Sequence, residues 1–170
     1  TQIKAIQQAL PFQVKGFDCD NGSEFLNWHL LRHFQNPAQP VKFTRSRPYH
    51  SNDNAHVEQK NWSCVRQLFG YDRLGQAAMV KPMNDLYANE FSLLTNFFYP
   101  TLKLASKARE GSKWVRKHSK PVTPAQRLID HPDLPQGIRD ELSARMKTLN
   151  PFLIQKKIQR KLKAIFKLLR

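Results

Sequence analysis

Cysteine is scarce: Cys19 and Cys64 are the only two among 170 residues. They form no Cys-x-x-Cys pair and no disulfide framework, so a reducing compartment is expected. There is no glycine-rich phosphate loop and no Ser-His-Asp order, which removes the nucleotide-cradling and serine-nucleophile classes. No run of about 18 apolar residues occurs, so no segment reads as membrane-spanning. His50, His56 and Cys64 follow no zinc-ligand spacing. Acidic residues are also few. Thirteen Asp/Glu stand against 28 Lys/Arg, for a formal net charge of +15. An imbalance of that size points to a polyanionic partner.

What is present is organised. The 40% hydrophobic content suffices for the packed core of one domain, or of one domain with an appendage. Charge is graded along the chain. Residues 1–60 carry seven Lys/Arg against five Asp/Glu, residues 61–150 fourteen against eight, and residues 151–170 seven against none. The carboxylates lie mostly in the less basic front, and the phosphate-attracting surface lies behind them. The opening Thr1-Gln2-Ile3-Lys4-Ala5-Ile6 has neither an initiator Met nor a signal-peptide pattern. It reads like the interior of a helix, so a fragment of a longer chain is expected.

Apolar spacing predicts a helix over 1–10, closed by Pro11. A strand is predicted over 12–19, with Val14 and Phe17 inward. Asn21-Gly22 signals a turn, and Ser23 is a candidate cap for a helix from about Glu24 to Phe34. Phe25, Trp28, Leu31 and Leu30 are its candidate core positions. Residues 36–40 read as a loop, 41–44 as a short strand and 45–54 as a polar loop. A helix over 55–69 comes next, with Val57, Trp62, Val65 and Phe69 apolar and Gly70 ending it. Further helices are predicted over 82–98, from Thr123-Pro124, and over 135–149. Residues 101–120 read as a basic loop or extended arm. From Phe152 onward, Ile154, Ile158, Leu162, Ile165 and Leu169 fall on one face of a basic amphipathic helix. The helix–strand–helix–strand–helix order predicts an α/β layer fold with two neighbouring parallel strands.

Two phrases carry chemistry. Phe17-Asp18-Cys19-Asp20-Asn21-Gly22-Ser23-Glu24-Phe25 puts Asp20 at the end of a strand. Arg47-Pro48-Tyr49-His50-Ser51-Asn52-Asp53-Asn54-Ala55-His56-Val57-Glu58-Gln59-Lys60-Asn61 puts Glu58 one turn into a helix. Each has a plain structural reading: Asp-Asn-Gly is common in turns, and a first-turn Glu suits the helix dipole. Together, two carboxylates on rigid elements of a basic chain suit a Mg2+ site working on phosphodiesters, because Mg2+ takes carboxylate oxygens and water. Lys60 and Arg66 on the Glu58 helix are candidate DNA contacts. So are Lys113, Arg116 and Lys117 around Trp114, with Trp114 able to stack on a base. Trp28 and Trp62 are expected in the core.

These residues resemble the DDE-type transposase and integrase catalytic core, of the retroviral-integrase-like superfamily and bacterial insertion-sequence type. The run 20–25 is similar to that family's second-Asp motif and the run 47–61 to its Glu motif, with 37 residues between Asp20 and Glu58. Val65-Arg66-Gln67-Leu68-Phe69-Gly70-Tyr71-Asp72-Arg73, Leu86-Tyr87, Asn96-Phe97-Phe98-Tyr99-Pro100 and Thr123-Pro124-Ala125-Gln126-Arg127 resemble its continuation. The likeness covers roughly residues 1–130.

The resemblance implies a partial RNase H-like fold, the C-terminal part of the catalytic core, over 1–75. It implies a helical, basic continuation over 76–130 and a helical basic tail over 131–170. Asp20 and Glu58 become the catalytic, metal-binding Asp and Glu, with two Mg2+ (or Mn2+) ions in the complete site. The family's first Asp belongs upstream of residue 1. Asp18, beside Asp20 on one strand, does not take its place. Where relatives often carry a basic residue seven positions after the Glu, this chain has Val65, followed by Arg66. The implied activity is metal-dependent DNA cleavage and strand transfer in transposition, on transposon ends and target DNA. The full-length form would be homo-oligomeric and cytoplasmic, at the bacterial nucleoid, with no membrane partner. The chain by itself is expected to be inactive. A different reading of the same residues is a non-catalytic DNA-binding or multimerisation remnant.

Overall fold

A computed structural model of the chain describes residues 2–19, 22, 27–35, 40–50, 53 and 55–169. The fold is mixed α/β and divides into two compact units, Thr1–Asp72 and Arg73–Arg170.

The first unit begins with α1 (Gln2–Ala9), then β1 (Gly16–Cys19), α2 (Trp28–Phe34) and β2 (Lys42–Arg45). The strands pair in parallel, as predicted, with Gly16 opposite Lys42 and Cys19 opposite Arg45. Helix α2 starts later than the spacing predicted. Asn27 holds extended backbone, and its side chain accepts the Leu30 N–H at 2.9 Å, an N-cap that fixes Trp28 as the first helical residue. The predicted cap Ser23 and core residue Phe25 lie outside the described residues.

Leu30, Phe34 and Val41 form the centre of the core, with Ile3, Val14, Phe17 and Phe43 packed around them. The Phe34 ring lies 4.7 Å from that of Phe17 and 5.9 Å from that of Phe43. Trp28 is not part of this core; it is 74% exposed. The register of α2 explains this. Leu30 and Phe34 are one turn apart on the inward face, and Trp28 falls on another.

The next helix, α3 (Ala55–Asn61), changes pitch rather than ending. Trp62–Arg66 form a π-helical turn, and α4 (Gln67–Phe69) finishes the rod. A π-turn inserts extra backbone and so rotates the helical turns beyond it. Phe69 is buried, while Trp62, expected inside, is 53% exposed. Gly70 stops the helix at φ 73°, a conformation open to glycine, and its N–H reaches the Arg66 carbonyl at 2.9 Å.

In the second unit a 3-10 turn (Ala77–Met79) enters α5 (Val80–Leu86), a second π-turn (Tyr87–Phe91) and α6 (Ser92–Phe98). Pro82 sits in the first turn of α5, directly after the 3-10 turn. Residues 101–120 are not a loop. They form an antiparallel hairpin of β3 (Leu104–Glu110) and β4 (Lys113–His118). Gly111, first of the two loop residues, takes φ 61°, as a tight hairpin turn requires.

Three helices complete the unit: α7 (Pro124–Ile129), α8 (Gln136–Thr148) and α9 (Pro151–Lys167). Thr123 caps α7 through the Gln126 N–H, and Asn150 caps α9 through Phe152 and Leu153. The apolar stripe of α9 packs on α5, α6 and the π-turn between them. Ile154, Ile158 and Ile165 are buried there with Leu86 and Leu94. The stripe is therefore largely occupied inside its own unit. Among the described residues no helix is long and apolar enough to cross a membrane.

One ion network ties α9 down. Lys161 Nζ lies 2.5 Å from Asp85 Oδ2 and also bonds Glu90 Oε2. Desolvation pulls the Lys161 ammonium down, but the bonds to Asp85 and Glu90 outweigh it, and its pKa ends above the ordinary 10.5. Asp85 is lowered from 3.8, first by the hydrogen bond from Lys161 and against its own desolvation. The raised lysine contributes stability that is complete below 10.5 and is lost as pH climbs through the raised value. The lowered aspartate contributes above 3.8 and is lost as pH falls through the lowered value. Lys161→Met will therefore melt below the parent at pH 7, by a modest margin because the network is partly solvated. The margin will shrink once the solution is acid enough to protonate Asp85. Thermal melts at pH 7 and in strong acid check this; an equal margin at both would mean that packing, not charge, was lost.

Candidate functional site

In the first unit, the end of β1, the loop after β2 and the start of α3 border the expected site residues in sequence. Asp20 comes directly after Cys19, the last residue of β1, but lies outside the described residues. Its neighbour Asp18 has a structural task of its own. It accepts a hydrogen bond from Thr44 Oγ1 at 2.7 Å, from the residue opposite it in the parallel pair. Cys19 is buried on the other face of the strand. Its carbonyl accepts the Ser46 N–H at 3.0 Å and the Ser46 hydroxyl at 3.3 Å. Ser46 is itself buried, so this contact joins the ends of β1 and β2.

Beyond Ser46 the loop is clamped. Arg47 donates from Nε and Nη2 to the two carboxylate oxygens of Asp53, at 2.8 and 3.0 Å, and from its backbone N–H at 3.2 Å. The side-chain hydrogen bond from Arg47, aided by the backbone one, holds the Asp53 carboxyl at about 2. The clamp is thus intact across ordinary pH. It was not anticipated, although an Arg six residues ahead of an Asp in a Pro/Asn-rich loop is the pattern that could have shown it. Inside the loop, Tyr49 takes φ 62° and is fully exposed. Left-handed backbone is costly for an aromatic residue, and the flanking hydrogen bonds, His50 N–H to Arg47 and Asp53 N–H to His50, hold it.

Two residues past the clamp α3 begins, with Glu58 in its first turn. Glu58 and Lys60 are both exposed. Arg66, in the π-turn, lies with its guanidinium 5.1 Å from the centre of the Tyr71 ring, so part of its charge faces an aromatic surface. Among the described residues no three His, Cys, Asp or Glu side chains gather into a metal-binding group. Of the expected metal ligands, only Glu58 is in the described set.

The remaining expected contacts sit in the second unit. Lys113, Trp114, Arg116 and Lys117 all lie on β4 and are exposed. Lys107, from β3, stands over the Trp114 ring at 4.4 Å. The base of this hairpin is pinned. Thr101 and Val122 exchange backbone hydrogen bonds, and Arg127 Nη2 donates to the Thr101 carbonyl at 2.9 Å and the Val122 carbonyl at 3.2 Å. The Thr123–Arg127 run thereby gains a structural role: Thr123 and Pro124 start a helix that aims Arg127 at the hairpin root.

No protein-family model matches the chain, and no solved structure matches it significantly. It is similar to the uncharacterized protein y4rM of Sinorhizobium fredii, with 40% identity over 128 residues. That alignment takes in 74% of this chain and 36% of the relative, so the chain spans about a third of the length of the curated protein it matches.

Proposed function

We propose that this chain is part of a DDE-type DNA strand-transfer enzyme acting in transposition or integration. In this reading the first unit is the later part of an RNase H-like core, and the second is a basic continuation. One observation carries the reading: the first strand of a parallel pair ends at Cys19, the residue before Asp20 in the sequence, and the helix after the second strand displays Glu58 to solvent. Motif order and the +15 charge support it.

Asp20 and Glu58 would hold the divalent ions, Mg2+ or Mn2+, which supply charge neutralisation and an activated oxygen nucleophile when bound. The Arg47–Asp53 clamp positions the start of α3 and so orients Glu58. Lys60 and Arg66 on the same rod would meet DNA phosphates. Two carboxylates are fewer than the chemistry requires, so a third would come from upstream in the same reading frame.

Nicking of supercoiled plasmid tests the proposal, with and without Mg2+ or Mn2+. The 170-residue chain is expected to leave the plasmid intact. A version extended upstream in its own frame is expected to nick it only with metal. Asp20→Asn and Glu58→Gln should each cut that rate by roughly a hundredfold, since losing a residue that merely supports a ligand already costs 10–100-fold. Nicking that needs no metal, or that survives both substitutions, would sink the proposal. DNA binding without nicking in every version would favour a non-catalytic remnant.

A further inference from the structure

The hairpin sorts its side chains. Directly paired residues of an antiparallel ladder share a face, and alternate pairs fall on opposite faces. The register pairs Lys107 with Arg116 and Arg109 with Trp114. These two pairs are one step apart on the same side, so one face carries Lys107, Arg109, Arg116 and the indole, with no carboxylate. The other face carries Ser106–Lys117, Ala108–Val115 and Glu110–Lys113. It is smaller in relief, and its acid offsets one of its two lysines.

The basic face is built to be wet. Every residue of β3 is exposed, and Trp114 keeps 55% of its surface open. A tryptophan this exposed on a ribbon gains little from packing where it stands. Lys107 lies over one side of the ring, which holds the indole in place without covering it. Arg109 is turned to the loop, its Nε donating to the Gly111 carbonyl at 3.1 Å. An aromatic platform flanked by three cations is the combination that takes a phosphodiester backbone and stacks an unpaired base.

We propose that the Lys107–Arg109–Trp114–Arg116 face of the hairpin binds single-stranded DNA, with Trp114 stacking on a base and the three cations meeting phosphates. Paired bases are stacked on each other and offer the indole nothing, so the face discriminates against duplex. This deepens the DNA-acting reading and rests on it, but it requires neither metal nor Asp20 and Glu58.

Fluorescence anisotropy in EDTA, with a labelled oligo-dT and a labelled duplex of equal length, tests it on the 170-residue chain. The parent should prefer the single strand. Trp114→Ala should weaken that binding roughly tenfold or more, and Trp114→Phe should restore most of it. Lys107→Ser/Arg109→Ser should weaken it markedly, and Lys113→Ser/Lys117→Ser, with the same loss of charge, by less than about threefold. Unchanged circular dichroism guards against misfolding; should Trp114→Ala fail to fold, Trp114→Lys and the paired-cation comparison decide the matter. Equal weakening by both cation pairs, or no effect of Trp114→Ala, overturns the proposal while leaving a DNA-binding chain. A parent that binds neither oligonucleotide, or that binds only phosphatidylserine vesicles, overturns it together with the DNA-acting reading.

Discussion

Phe34→Ala will unfold the first unit or bring it to the edge of unfolding. Phe34 closes α2, is 1% exposed, and meets the rings of Phe17 from β1 and Phe43 from β2. Its carbonyl also accepts the Val41 N–H at 3.0 Å, at the entry to β2. Truncating a buried Phe costs about 3–5 kcal/mol through lost transfer energy and the cavity left behind. A unit of about 70 residues has roughly 4–10 kcal/mol in total, at the usual 0.05–0.15 kcal/mol per residue. One side chain therefore represents much of its margin. Backbone amide exchange across β1 and β2 will rise toward the unprotected rate, while amides of α5 and α9 in the second unit keep their protection. A loss below about 1 kcal/mol in urea unfolding would mean that the aromatic cluster repacks and that the core lies elsewhere.

Ile165→Ala will release the C-terminal helix. Ile165 is fully buried, and α9 packs on α5 and α6. The expected cost is about 2–5 kcal/mol. Leu153, on the same helix but 58% exposed, supplies the control, and Leu153→Ala should stay within about 0.5 kcal/mol. Trypsin gives a direct readout, because α9 carries Lys156, Lys157, Arg160, Lys161, Lys163 and Lys167. These bonds are shielded while the helix is docked and become cleavable when it opens. Equal tryptic rates for the two variants would mean that α9 is not part of the folded unit.

The parts of the fold legible in the sequence were those with a strong apolar period. The strand–helix–strand order gave the parallel pair, and the spacing of Ile154, Ile158 and Ile165 gave both α9 and its inward face. The hairpin was not legible, because its strand Leu104-Ala105-Ser106-Lys107-Ala108-Arg109-Glu110 has no apolar alternation and rests on no core. What holds it is a ladder, a turn and the Arg127 pin, none of which leaves a periodic trace. Trp28 and Trp62 were misplaced for a related reason. Composition says tryptophan belongs inside, but a fraction of a turn of helical phase, set by the Asn27 cap and by the π-turn at Trp62–Arg66, decides which way each points. At the candidate site, what was legible from the flanking motifs was the first-turn place of Glu58 on α3, the one expected metal ligand among the described residues. The Arg47–Asp53 clamp and the sorting of cations on the ribbon were not, since both depend on partners that only folding brings together.

The pin at Arg127 bears on what a ligand would have to immobilise. A basic arm of the same composition without regular structure would lose about 1–2 kcal/mol of conformational entropy for each residue fixed on association. In this chain that loss has occurred before any partner arrives, because the ladder between Leu104 and His118 and the bridge at its root are formed in folding. Association then has only side-chain rotamers left to freeze. Loosening Arg127 would transfer the backbone ordering from the folding step to the encounter.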